Sequence, residues 1–125
     1  MSYTMMNIAT NKNDDIIRNI DSYLNKYKFR NKGEYFRYRI FYHPMDNMYV
    51  YIEKKESGVI LKLFVSSALY KYQISRRFSW ITLGMYSATI SKMCREINSL
   101  ILEIDASAQI QIEDKKEWCP VIILK

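Results

Sequence analysis

Residues 34–65 read EYFRYRIFYHPMDNMYVYIEKKESGVILKLFV. Chemical character alternates through most of this stretch, and side chains two apart share one face of a β-strand. In residues 34–43 the alternation sets Phe36, Tyr38, Ile40 and Tyr42 on one face and Tyr35, Arg37, Arg39, Phe41 and His43 on the other. The first set predicts a core-facing row and the second a wet face. Residues 43–47 predict a turn through Pro44, Asp46 and Asn47. In residues 48–54, Met48, Val50 and Ile52 fall on one side, with Tyr49, Tyr51 and Glu53 opposite. A polar loop, Lys54 to Gly58, leads to a third strand, Val59 to Val65, and Leu69 to Ile74 predicts a fourth. Short polar connections in succession imply an antiparallel meander.

Helical periodicity flanks this block. Ile16, Ile17, Ile20, Tyr23, Leu24 and Tyr27 recur at spacings of three and four, which predicts a helix from Asn13 to Lys28. Asn13 is the expected N-cap, Asp14 and Asp15 suit the positive end of the helix dipole, and Asn31-Lys32-Gly33 is the expected stop. A second helix is predicted from Tyr86 to Ile104, followed by strands Ser107 to Glu113 and Trp118 to Leu124 joined by residues 114–117. Residues 1–12 are expected to form a loosely ordered or edge segment.

The expected fold is a single α+β domain over residues 1–125, in the order α-β-β-β-(β)-α-β-β. Two helices pack on one face of an antiparallel sheet of about five to six strands. Its expected core comprises Ile16, Ile20, Leu24, Ile40, Val50, Ile52, Leu61, Leu63, Ile90, Ile97, Leu100, Ile101 and Ile110. This element order resembles that of the class I type III secretion chaperones and related small α+β folds, over most of the chain and at the level of topology. The resemblance implies a compact scaffold that binds a protein partner.

Composition narrows the function classes. Of 125 residues, 49% are apolar, three are Gly and two are Pro, which excludes disordered and collagen-like chains. No segment has the roughly 18 to 20 uninterrupted apolar residues of a membrane helix. The start, MSYTMMNIATNKNDD, lacks the basic and apolar regions of a secretory signal, so a cytoplasmic protein is expected. Cys94 and Cys119 are too few and too far apart for a metal or redox motif and predict buried free thiols, with one disulfide between them the alternative in an extracellular setting. With one His and the acids dispersed as Asp14, Asp15, Asp46, Glu113 and Asp114, no cofactor or metal is expected.

Charge supplies the functional expectation. The net charge is +6, yet residues 26–95 hold fourteen bases against four acids. A cationic sheet face follows, with Tyr35, Arg37, Arg39, Phe41, Tyr49 and Tyr51 as candidate partner-binding residues. Lys71, Arg76 and Arg77, interleaved with Tyr70, Tyr72, Phe78 and Trp80, form a second candidate group. Interfaces favour Tyr, Trp, Met and Arg, so the expected function is a non-catalytic protein-binding module of the immunity, inhibitor or chaperone-like adaptor kind. Its partner would be an acidic protein, and an exposed aromatic face would favour a homodimer. Two alternatives use the same residues. Aromatic rings can stack on unpaired bases while Arg and Lys neutralise phosphates, which suits RNA or single-stranded nucleic acid. A metal-independent ribonuclease would use Arg37 and Arg39 against phosphorane charge, with Tyr35 or His43 moving protons.

Overall fold

The computed structural model describes residues 3–44, 48–65 and 79–115, with side chains of the second helix from residue 88 onward. Among these residues six strands and two helices form an α+β fold. The elements are β1 (Tyr3–Ala9), α1 (Asn13–Lys26), β2 (Arg30–Tyr35), β3 (Tyr38–His43), β4 (Met48–Lys55), β5 (Gly58–Val65), α2 (Ser79–Ile104) and β6 (Gln109–Lys115). The sheet is antiparallel throughout, in the order β2-β3-β4-β5-β1-β6. Strands β3 to β5 follow the expected meander, and the expected single strand over residues 34–43 is split by a turn, its first part belonging to the additional strand β2. Because β1 lies between β5 and β6, those two strands run parallel and need a crossover, which α2 supplies.

Three differences from the sequence reading have clear physical causes. The N-terminal segment is an interior strand, since Met6 (0% exposed) and Ile8 (1%) alternate into the core and pair with Leu61 and Val59 on one side and Ile112 and Ile110 on the other. The chain therefore opens with a strand ahead of α1, while the rest of the element order approximates the expected one. Helix α1 ends at Lys26, because Lys28 turns left-handed (φ 69°) and the Phe29 amide donates back to the Leu24 carbonyl at 2.9 Å. Asn31-Lys32-Gly33 belongs instead to edge strand β2, where Gly33 (φ 91°) lies within an irregularity of the pairing between Asn31 and Glu34. Finally, Lys12 occupies the N-cap position of α1 without a capping side chain, while Asn13 Nδ2 donates to the Lys55 carbonyl at 2.7 Å.

The core beneath the helices joins Ile16, Ile17, Ile20 and Leu24 of α1 and Met93, Cys94, Ile97 and Ile101 of α2 to Val50, Ile52, Leu61 and Leu63 of the sheet. Ile90, Leu100 and Ile110 pack against it while partly exposed. A fully enclosed aliphatic side chain contributes about 1.5 to 3 kcal/mol of burial free energy, so this layer holds both helices to the sheet. Buried Cys94 is a free thiol whose pKa burial pushes up to about 11, leaving it protonated and inert at neutral pH. The expected strand over residues 69–74, the expected strand over 118–124 and Cys119 lie outside the described residues.

The register of β3 reverses part of the expected face assignment. Phe41 pairs with Val50 and is fully buried on the helix side, whereas Ile40 pairs with Tyr51 on the opposite side. Tyr38, Ile40, Tyr51 and Phe64 form a second buried cluster there, flanked by Tyr3, Tyr35 and Tyr49. Position 36 leaves the pattern altogether: Phe36 and Arg37 form a two-residue turn between β2 and β3.

Candidate functional site

Of the expected partner-binding residues, six are described and they do not share one surface. Phe41 is 0% exposed and Tyr51 2%, which makes both of them core. Tyr49 is half-buried and stacks on Phe64 at 5.5 Å. Arg39 points to the helix side, where Asp21 and Glu34 accept its hydrogen bonds. Burial outweighs the neighbouring guanidinium and raises the Asp21 pKa above its ordinary value. Lys71, Arg76 and Arg77 lie outside the described residues. The continuous row of Tyr35, Arg37 and Arg39 therefore does not form, and among the described residues no exposed sheet-borne row of aromatic and cationic side chains replaces it. Of the aromatic residues on the expected face that favoured a homodimer, Phe41 and Tyr51 are buried and Tyr35 and Tyr49 are half-buried.

The ribonuclease arrangement is not assembled either. Arg39 and His43 lie on the helix side, with His43 edge-on to Phe29 at 5.0 Å, while Tyr35 and Arg37 stand at the end of the hairpin. At about 3.4 Å per residue, His43 is some six positions along the strand from Arg37, far beyond the reach of one phosphate. Among the described residues no group of three His, Cys, Asp or Glu could hold a metal ion. Nor is any described helix long and apolar enough to cross a membrane.

Tyr35 and Arg37 do come together, with a residue that periodicity had assigned to the core. Phe36 is 84% exposed, the most exposed large apolar side chain among the described residues, and its backbone is left-handed at φ 54°. Isolated exposed apolar side chains such as Leu102 and Ile112 need no explanation. The backbone of Phe36 does. Two-residue hairpins most often use turns with positive φ, which match strand twist, and Asn, Asp or Gly normally supplies it. A bulky side chain in that region is an outlier that costs on the order of 1 to 2 kcal/mol. Of the two other described residues with positive φ, Lys28 terminates a helix and Gly33 carries no Cβ. Among the described residues, only at Phe36 does local geometry fail to account for the residue type.

The tip is held firmly. Phe36 rests edge-on against Tyr35 with ring centroids 4.4 Å apart, and Tyr35 packs on the buried Tyr38 cluster. Arg37 lies over the Tyr38 ring at 5.7 Å, and its Nε contacts Glu53 Oε2 at 3.0 Å. The Glu53 side chain is only 5% exposed and also takes Lys55 Nζ at 3.0 Å. Tyr38 is fixed in turn by Lys62, whose Nζ donates to its hydroxyl at 3.1 Å and sits over its ring. An exposed aromatic and an exposed guanidinium are thus presented from a buried base.

A second polar cluster near the same end of the sheet has a structural role. The Asp105 carboxylate accepts from the Thr10 hydroxyl at 2.6 Å, the Ser107 hydroxyl at 2.6 Å and the Ser107 amide at 3.0 Å. These bonds, led by Ser107, lower its pKa below the ordinary carboxylate value. Lys12 Nζ donates to the Ile104 carbonyl, so the cluster pins the end of β1 to the α2–β6 connection. No family model, curated protein or solved structure matches the chain.

Proposed function

We propose that this protein is a non-catalytic recognition module of the immunity, inhibitor or chaperone-like adaptor kind, which inserts the β2–β3 hairpin tip into a pocket of a partner protein. The observation that carries this reading is Phe36, an aromatic ring displayed to solvent on a backbone that favours glycine. Strain of this sort persists where surrounding structure over-determines it, and it concentrates at functional sites. Tyr35, Phe36 and Arg37 have the aromatic and guanidinium chemistry of interface anchors, and their rigid mounting lowers the entropy cost of binding.

Affinity purification from cells that naturally produce the protein tests the proposal, with wild type, Phe36→Ala and Ile112→Ala compared. Loss of an anchor costs about 2 kcal/mol or more, which is roughly a 30-fold loss of affinity. A protein held by wild type and Ile112→Ala but released by Phe36→Ala is the expected result. Equal retention by Phe36→Ala, with folding unchanged, overturns it.

A further inference from the structure

We infer that the partner's surface is acidic and places a carboxylate against Arg37, beside the pocket that takes the Phe36 ring. This rests on the recognition reading above and adds the chemistry of the other side. Most cations at this end of the sheet are already matched by carboxylates. Lys54 pairs with Asp14 at 2.7 Å, and Arg39 pairs with Asp21 and Glu34. At the tip the balance differs, because Arg37 and Lys55 share one oxygen of Glu53. Two cations on one carboxylate oxygen leave Arg37 only partly matched, and among the described residues no second carboxylate pairs with it.

The geometry of Arg37 fits an incoming anion. Glu53 engages Nε, the guanidinium is oriented by Tyr38, and 69% of the side chain remains exposed. With Glu53 at Nε and a hydrogen bond to the Tyr38 side chain, the remaining exposed donors suit a carboxylate, for which an arginine fork is fitted. Phosphate would also satisfy a guanidinium, but the surroundings favour protein. Phe36 meets Tyr35 at 86°, so the two rings offer no parallel platform for successive bases. A nucleic-acid backbone is tracked by a line of cations, whereas here Arg39 is turned to the helix side and tied to carboxylates.

Site-specific photo-crosslinking decides the question. A photoreactive benzoylphenylalanine is placed at position 36, and in a control at position 112, in cells that naturally produce the protein. Adducts are compared in backgrounds with Arg37 intact, Arg37→Lys, Arg37→Gln and Arg37→Glu. The expected adduct at position 36 is to a protein, at a segment containing Asp or Glu. Its yield falls at least tenfold with Arg37→Glu, less with Arg37→Lys, and is restored when that acidic residue is changed to Arg. Arg37→Gln avoids setting two carboxylates side by side, so it keeps the test valid if Arg37→Glu fails to fold. A protein adduct indifferent to Arg37→Gln overturns the acidic-partner inference while leaving insertion of the tip intact. An RNA adduct overturns the inference in favour of phosphate recognition. Absence of any adduct at position 36 overturns the recognition reading itself.

Discussion

The two hairpins that turn at the same end of the sheet solve one geometric problem in opposite ways. Between β4 and β5 the loop is Glu56-Ser57, polar and with no positive φ. It is braced on several sides. Ser57 O accepts from the Thr10 amide at 3.0 Å, and the Lys55 carbonyl accepts from Asn13. Gly58 lets β1 approach so closely that a Cβ there would lie 2.1 Å from the Ile8 carbonyl oxygen. Between β2 and β3 the loop is Phe36-Arg37, exposed, strained, and tied back through Arg37 to Glu53. The first hairpin is polar, has no residue in the left-handed region and serves the fold. The second violates local turn chemistry, and such violations are expected where a protein keeps a residue for something other than folding.

The contrast breaks most visibly at the braced hairpin. Gly58→Ala forces backbone to move, because the obstructing atom is a carbonyl oxygen of the neighbouring strand. The expected loss is about 1 to 3 kcal/mol, as for overpacked sites, measured as a lower urea midpoint with an unchanged m-value. A change below about 0.5 kcal/mol would show that β1 and β5 can separate freely, and the bracing argument would fail.

The bracing should also depend on pH. Asp105 holds Thr10, which bonds to Ser57, and its pKa is lowered in the folded state from the ordinary 3.8. A group with a depressed folded pKa adds stability that is present above its unfolded value and lost as the pH falls through the folded one. Stability should therefore decline below the ordinary aspartate value, and Asp105→Asn should flatten that decline. Denaturation curves across the acid range check it, and equal slopes for both proteins would remove Asp105 from the brace.

The same contrast marks what could be read from the amino-acid order. The β4–β5 turn was legible because Lys54-Lys55-Glu56-Ser57-Gly58 is polar and ends in Gly. Both helices were legible because their apolar stripes have one period, and α1 and α2 indeed pack on one face through Ile16, Ile20, Ile97 and Ile101. The β2–β3 turn was not legible. Tyr35, Phe36, Arg37 and Tyr38 all suit strands, so a period of two ran through the turn and carried Phe36 into the predicted core. Which face of β3 met the helices was equally hidden. Phe41 is the apolar residue on that face and is flanked by Arg39 and His43, while the other face is rich in tyrosines that are buried in their own cluster. Hydropathy cannot rank two such faces. The one available signal was pairing, since Met48, Val50 and Ile52 are the helix-side row of β4, and the registered partners of that row are His43, Phe41 and Arg39.

Smaller in energy but nearest to the central claim is the strain at position 36. At an ordinary strand or helix position Gly is about 0.5 to 1 kcal/mol less stable than Ala. In the left-handed region the order inverts, because Ala carries the Cβ penalty and Gly does not. Both substitutions remove the ring and its contact with Tyr35, so comparing them isolates the backbone. The deciding measurement is the unfolding free energy of Phe36→Gly against Phe36→Ala in urea. Phe36→Gly should be the more stable of the two by about 1 kcal/mol, showing that folding would choose another residue at the tip. If Phe36→Ala is the more stable, the backbone there is unstrained and the case for a hairpin kept for recognition collapses.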